Sequence, residues 1–310
     1  MFVVCGEALM DVFAAGETPT GLAMDARIGG SPFNVALGLA RLGQPVSFFG
    51  ALSSGFVGQR LLKALVDEGV ATACTAVIDA PTTLGLVGLD SRGVPSYSFY
   101  GEGCADRLLP LSALASLPAT ARVFQFGSYA MVVEPVAATQ RALVEREQGR
   151  SLITYDPNVR LNVEPDLQRW RDTLAWMAPR TQLLKVSDED LALLFPGADA
   201  AALASGWLAA GVAWVVVTRG SEGSEAWARG VHVRVAPQPV TVVDTVGAGD
   251  TFQAALLTWL AENNRLSPQA MAHCNEGELA DALRFAGRAA AITCSRRGAD
   301  LPRRAELPPL

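Results

Sequence analysis

The chain has 310 residues, half of them hydrophobic and 18% charged, with a net charge of -6 and a pI near 5.1. That balance excludes a disordered chain and supports one large packed α/β domain or two smaller ones. An acidic surface repels phosphate backbones, so nucleic acid is not an expected partner, and an anionic nucleotide would have to be held by local dipoles and a few cations. The five cysteines (Cys5, Cys74, Cys104, Cys274 and Cys294) contain no CxxC pair, and with two histidines in the chain a zinc or iron–sulfur site is poorly supported. Widely spaced thiols in odd number fit a reduced, cytoplasmic protein. Residues 1–7 carry no basic leader. No apolar run reaches the roughly 18 residues that span a bilayer, so no membrane partner is expected.

Residues 2–5 read as a buried strand closed by Gly6. Ser31 and Pro32 open a helix, with Ser31 as the expected N-cap, Val35, Leu39 and Leu42 at helical spacing, and Gly43 as its stop. A strand at 46–49 and a helix at 56–68 follow. Two β-rich runs at 83–89 and 94–100, joined through Asp90-Ser91-Arg92-Gly93, predict a half-exposed hairpin. Alternation then resumes, with strands at 123–126, 152–155, 183–186 and 212–218 and helices at 136–148, 166–177 and 200–208. A β-like run at 240–243 precedes Gly247-Ala248-Gly249-Asp250, and long helical stretches at 250–262 and 278–293 close the chain. This order predicts a parallel sheet covered on both faces by helices, with residues 1–310 as a single domain and a small β excursion at about 12–28 and 82–104.

The segment Gly247-Ala248-Gly249-Asp250 opens a helix. Small residues admit close backbone approach, and the free N–H groups and positive dipole of a helix start bind anions without a cationic surface. Asp250 in that first turn is suited to accept the proton of an attacking hydroxyl. Taken alone, the same residues equally describe a glycine turn and a cap.

The longer string Asp244-Thr245-Val246-Gly247-Ala248-Gly249-Asp250-Thr251-Phe252 resembles the C-terminal signature of the ribokinase-like (PfkB) sugar kinases. Gly29-Gly30-Ser31-Pro32-Phe33-Asn34 resembles the N-terminal one. Between and before them, residues 6–11 (GEALMD), Asp156-Pro157-Asn158-Val159-Arg160 and the 217–223 segment (VTRGSEG) are similar to the family's further motifs, so the resemblance covers essentially the whole chain. It implies a three-layer α/β/α fold with a β lid, and the use of Mg2+–ATP. Position by position, it implies Asp250 as catalytic base with Gly247, Ala248 and Gly249 as anion hole. It implies Asp11, Gly29, Gly30 and Asn34 as sugar contacts. Lys185, Thr218, Gly220 and Gly223 fall on the nucleotide side, and Asp244 and Thr245 on a monovalent-cation site for an ion such as K+. Where many members carry NxxE, this chain has Ser187-Asp188-Glu189-Asp190, leaving Asp190 to act on the Mg2+ shell. Lid sheets of the family often pair between subunits, which implies a homodimer.

Each residue also has a plainer reading. Asp11 suits a turn cap, Asn34 a surface polar group, Lys185 a strand-end lysine, and Asp106 and Arg107 a solvated pair. Arg160 suits either a surface ion pair or the binding of a substrate carboxylate or phosphate. The expected reaction is phosphorylation of D-fructose to fructose 6-phosphate, on the similarity of GEALMD, DPNVR and residues 274–285 to bacterial fructokinases. The alternative within the class is 2-keto-3-deoxygluconate, with Arg160 reading its carboxylate. Outside the class stand a sugar-binding regulator without catalysis and an NAD-dependent oxidoreductase. The latter needs a G-x-G-x-x-G after the first strand, which Gly6-Glu7-Ala8 does not supply.

Overall fold

A computed structural model describes residues 1–89 and 95–309. In chain order the strands are β1 (Phe2–Cys5), β2 (Leu9–Thr18), β3 (Gly21–Gly29), β4 (Val46–Phe49), β5 (Ala51–Ser53), β6 (Ala76–Ile78), β7 (Leu84–Leu89), β8 (Pro95–Tyr100), β9 (Val123–Gly127), β10 (Leu152–Asp156), β11 (Leu183–Ser187), β12 (Trp214–Thr218), β13 (Ser224–Ala228) and β14 (Val231–Val235). The helices are α1 (Ser31–Arg41), α2 (Phe56–Asp67), α3 (Val136–Glu147), α4 (Leu167–Met177), α5 (Asp188–Leu194), α6 (Ala200–Ala209), α7 (Ala248–Glu262), α8 (Pro268–Ala272) and α9 (Glu276–Cys294).

Eight strands form the main sheet in the order β14-β13-β12-β11-β10-β9-β1-β4. The six from β12 to β4 are parallel, and β13 and β14 add an antiparallel edge. The inner strands are buried on both faces, which is why they read as largely apolar runs. Phe2, Val4, Phe48, Val123, Leu152, Leu183 and Val216 join one core with residues of α1, α7 and α9. Val3, Cys5, Phe124, Ile153, Leu184 and Val215 join the other with residues of α3, α4 and α6. The result is a three-layer α/β/α core.

Local chemistry sets the helix ends. Gly43, at φ 81°, follows α1, and Asn275 and Glu278 form a capping box at α9. Gly30, and not Ser31, is the N-cap of α1; the Ser31 hydroxyl is engaged elsewhere. Residues 240–243 form no strand, since the chain from 236 to the turn before α7 is irregular and leaves Val240, Val242 and Val243 exposed. The antiparallel pair β13–β14 escapes a search for apolar runs because Glu225, His232 and Arg234 interrupt it.

A second sheet, in the order β3-β2-β7-β8, stands apart from the main one. It occupies the two stretches where the small β excursion is expected. The predicted connection from Asp90 to Gly93 lies outside the described residues. Strand β3 runs directly into Gly29, Gly30 and α1, so this sheet is tied to the core with no intervening linker.

Candidate active site

Helix α7 begins at a left-handed Gly247 (φ 78°). A Cβ there would stand 2.6 Å from the Ala299 side chain, so both conformation and space demand glycine. Of the first-turn amides, Ala248 N–H turns back to the Thr245 carbonyl at 3.2 Å, so it is already engaged within the turn. Asp250 sits in the same turn. Its Oδ1 accepts from Ser31 Oγ at 2.6 Å and its Oδ2 from Asn34 Nδ2 at 2.8 Å, across 219 and 216 residues of sequence. Burial pushes the Asp250 carboxyl above its ordinary range, while the two hydrogen bonds, Lys185 and Arg160 pull it back.

Asp11 lies on β2 opposite Arg27 of β3 and Gly85 of β7. A Cβ at Gly29 would collide with the Asp11 carboxylate, and one at Gly85 would stand 2.8 Å from it. Two glycines thus clear the space around this acid. Burial raises Asp11 to about 6; Arg160 lowers it and Asp250 raises it. Gly30 holds φ 101°, and a Cβ there would stand 2.8 Å from the Glu7 carbonyl oxygen.

On the sheet floor, Lys185 Nζ meets Asp156 Oδ2 at 2.7 Å, both side chains 5% exposed. Burial favours loss of the lysine proton, but Asp156, Asp250 and Asp190 outweigh it and raise the group. A Cβ on Gly249 would be 3.3 Å from Lys185 Nζ, so the ammonium lies directly under the α7 turn. Asp190 accepts from the Val159 amide at 3.0 Å and is raised to about 6, first by burial and then by Asp156. Arg160 is exposed, and its Nη1 donates to the Val159 carbonyl.

Thr218 ends β12 beside Ser187. Gly220 and Gly223 hold φ 47° and 93°, turning the chain into β13. Asp244 accepts from Val246 N–H at 3.1 Å and Gly298 N–H at 2.8 Å. The Cys294 carbonyl accepts from the amides of Val243 and Asp244. Thr245 is exposed beside them. The loop after α9 is thereby latched to the residues that lead into α7.

Four features went unread in the sequence. Ser31 binds Asp250 directly; its place beside Pro32 suggested only a cap. Asp156 is the buried partner of Lys185. Glu7 is buried with one oxygen unpartnered, which no local pattern announces. Asp106, expected in a solvated pair, is 2% exposed; it accepts from Thr83 Oγ1 at 2.5 Å and Tyr129 OH at 2.8 Å.

An acid in the first turn of a helix, held by a hydroxyl and an amide from the far end of the chain and near a buried lysine, suits phosphoryl transfer to a small polar acceptor. Residues 1–305 match the model of the pfkB family of carbohydrate kinases. Among curated relatives, a fructokinase of Rhizobium leguminosarum bv. trifolii is 35% identical over 279 residues, covering 90% of this chain and 85% of that one. Fructokinase-2 of Solanum lycopersicum is 32% identical over 276 residues, covering 87% and 82%. Among solved structures, the fructokinase of Xylella fastidiosa with bound ATP superposes with a TM-score of 0.87 at 27% identity, covering 99% of this chain and 94% of that one. The chain belongs to the pfkB family and is a carbohydrate kinase; the oxidoreductase reading is thereby set aside. Among the described residues no helix is long and apolar enough to cross a membrane.

Proposed function

We propose that this kinase transfers the γ-phosphoryl group of ATP to the primary hydroxyl of D-fructose, giving fructose 6-phosphate. The observation that carries the reading is the Asp250 carboxylate, held by Ser31 and Asn34 from the far end of the chain at the start of α7. Relatives named fructokinase supply the choice of sugar. Asp11, Gly29, Gly30 and Asn34 bind the sugar hydroxyls, and the turn at Gly247, Ala248 and Gly249 faces the phosphates. Asp250 takes the proton of the attacking hydroxyl. The hydroxyl oxygen forms the new P–O bond as the bond to the β–γ bridging oxygen breaks, and ADP leaves with that electron pair. Lys185, beneath Gly249, adds fixed positive charge in a buried site where it is little screened. Thr218, Gly220 and Gly223 border the nucleotide. The small sheet acts as a lid that keeps water from competing as acceptor.

Mg2+ needs only one or two protein carboxylates beside nucleotide phosphates and water. The residues fit that demand: Asp156 keeps Oδ1 buried without a protein partner, and Asp190, itself raised by Asp156, lies close enough to raise Lys185. These two would hold the ion's shell, and the ion would neutralise phosphate charge. Asp244 and Thr245, with the 294–298 loop, are the residues suited to a monovalent cation such as K+. Five free cysteines favour work in the reducing cytoplasm, and exposed Leu22 and Met24 on β3 favour a homodimer through the lid.

One specific observation favours a second substrate. Arg160 is exposed at the cleft and acts electrostatically on Asp11 and Asp250, a placement suited to the carboxylate of 2-keto-3-deoxygluconate. ADP release measured on a panel of sugars decides: fructose should lead, and a strong preference for the keto-deoxy acid would overturn the choice. Asp250→Asn should lower the rate by about 10²- to 10⁴-fold while sparing sugar binding. An unchanged rate would remove Asp250 as the base and leave a binding protein as the alternative.

A further inference from the structure

We propose that Arg27, on the lid strand β3, is a phosphoryl-contacting residue, delivered by the lid to the group in transfer. This rests on the reading of the Gly247–Asp250 turn as the phosphate site.

Directly opposed residues of an antiparallel pair point to the same face of a sheet, and Arg27 is opposite Asp11. Asp11 lies on the side of the sheet where a Cβ on Gly29 would meet its carboxylate, next to the start of α1, whose Ser31 and Asn34 hold Asp250. The inward row therefore carries Asp11 and Phe13 on β2 and Asp25 and Arg27 on β3. Phe13 stacks under the Arg27 guanidinium at 4.9 Å, and Asp25 holds its Nε and Nη2 through one carboxylate oxygen. Nη1 is left over, and it lies 3.5 Å from where a Cβ on Gly298 would be. Gly298 donates to Asp244, and the next residue, Ala299, packs on Gly247. Arg27 is thus a lid cation that touches the nucleotide half of the molecule, two residues before Gly29 of the sugar half.

The chemistry calls for such a group. The chain carries a net charge of -6, Lys185 is bound to Asp156, and charge gathers on the equatorial oxygens of the γ-phosphoryl as the old P–O bond breaks. A planar guanidinium with two donors on Asp25 and a third face open is oriented before the phosphate arrives. Its arrival with the lid would couple phosphoryl transfer to the presence of a sugar.

The test is steady-state kinetics of Arg27→Ala, Arg27→Lys and Asp25→Asn, with ATP and ADP affinities measured separately by calorimetry. Arg27→Ala should lose about 10²- to 10³-fold in kcat with KM for fructose within about threefold, lose preference for ATP over ADP, and recover rate with added guanidinium. Arg27→Lys should fall between it and wild type. It carries the test alone should the alanine variant not fold, and a wild-type ATP over ADP preference at reduced kcat would then overturn the idea. Asp25→Asn, whose amide oxygen can still accept from Arg27, should lose less kcat than Arg27→Ala. Equal losses in Arg27→Ala and Asp25→Asn, without guanidinium rescue, would mean that Arg27 only braces the lid and would overturn the proposal. So would an Arg27→Ala kcat within threefold of wild type. Asp250→Asn, assayed in parallel, separates the two readings: it should lose about 10²- to 10⁴-fold in rate whether or not Arg27 matters.

Discussion

Glu7 follows β1 and is 1% exposed, with Oε2 lacking any partner. Burial raises its carboxyl from 4.5 to about 8; a Ser128 hydrogen bond and Arg160 oppose the rise, and Asp106 adds to it. The folded chain therefore binds this proton more tightly than the unfolded chain does. Folding stability attributable to Glu7 is intact below about pH 4.5 and drains away as pH climbs through the window to about 8. At about 1.36 kcal/mol for each tenfold change in proton affinity, the loss at pH 8 reaches at most about 4 kcal/mol. Glu7→Gln keeps the shape and cannot ionise. Urea unfolding of both proteins between pH 5 and 9 should show the variant gaining on wild type as pH rises, by up to that amount, with the difference vanishing at the acid end. A difference independent of pH, or one that grows toward acid, would refute the reasoning: Glu7 would then be ionised in the fold and paired.

Two further outcomes are expected at the site. Ser31→Ala removes one of the two donors that favour ionised Asp250, a loss of about 1–1.5 kcal/mol. The acidic limb of the kcat profile should move up by about one pH unit, because the base must be ionised to act; a limb that stays in place would break the link between Ser31 and Asp250. Gly29→Ala brings a Cβ into the Asp11 carboxylate and to 2.9 Å from Leu9 Cδ1. It should raise KM for the sugar at least about tenfold, with KM for ATP nearly unchanged, and equal effects on both substrates would count against Asp11 as a sugar contact.

Much of the architecture was legible because parallel strands buried on both faces leave largely apolar runs, as at residues 2–5, 46–49 and 152–155. The edge pair β13–β14 was not, since Glu225, His232 and Arg234 sit where a buried strand would carry aliphatics, and an ion pair of Glu225 with Arg219 satisfies them only in three dimensions. The valines at 240–243 misled for the opposite reason, because residue type outlines a strand there while no neighbouring strand accepts it. At the site, the glycine turn and Asp250 were readable from local chemistry. Ser31 was misassigned because a serine before proline looks like a cap, and what claims its hydroxyl lies 219 residues away. Asp106, Glu7 and Arg27 were invisible for a related reason: burial and cross-strand facing are properties of the assembled fold.

That long span between Ser31 and Asp250 has a consequence for how the enzyme comes into being. Strands β1 to β4, α1 and the small sheet leave the ribosome well before residues 244–252. A growing chain therefore displays Asp11, Gly29, Gly30 and Asn34 while the glycine turn that carries Asp250 is still unmade. Contacts of such separation are the slow ones to form. Until they do, Ser31 and Asn34 wait without the carboxylate they hold in the finished fold, so the site is completed only when the last third of the chain has been made.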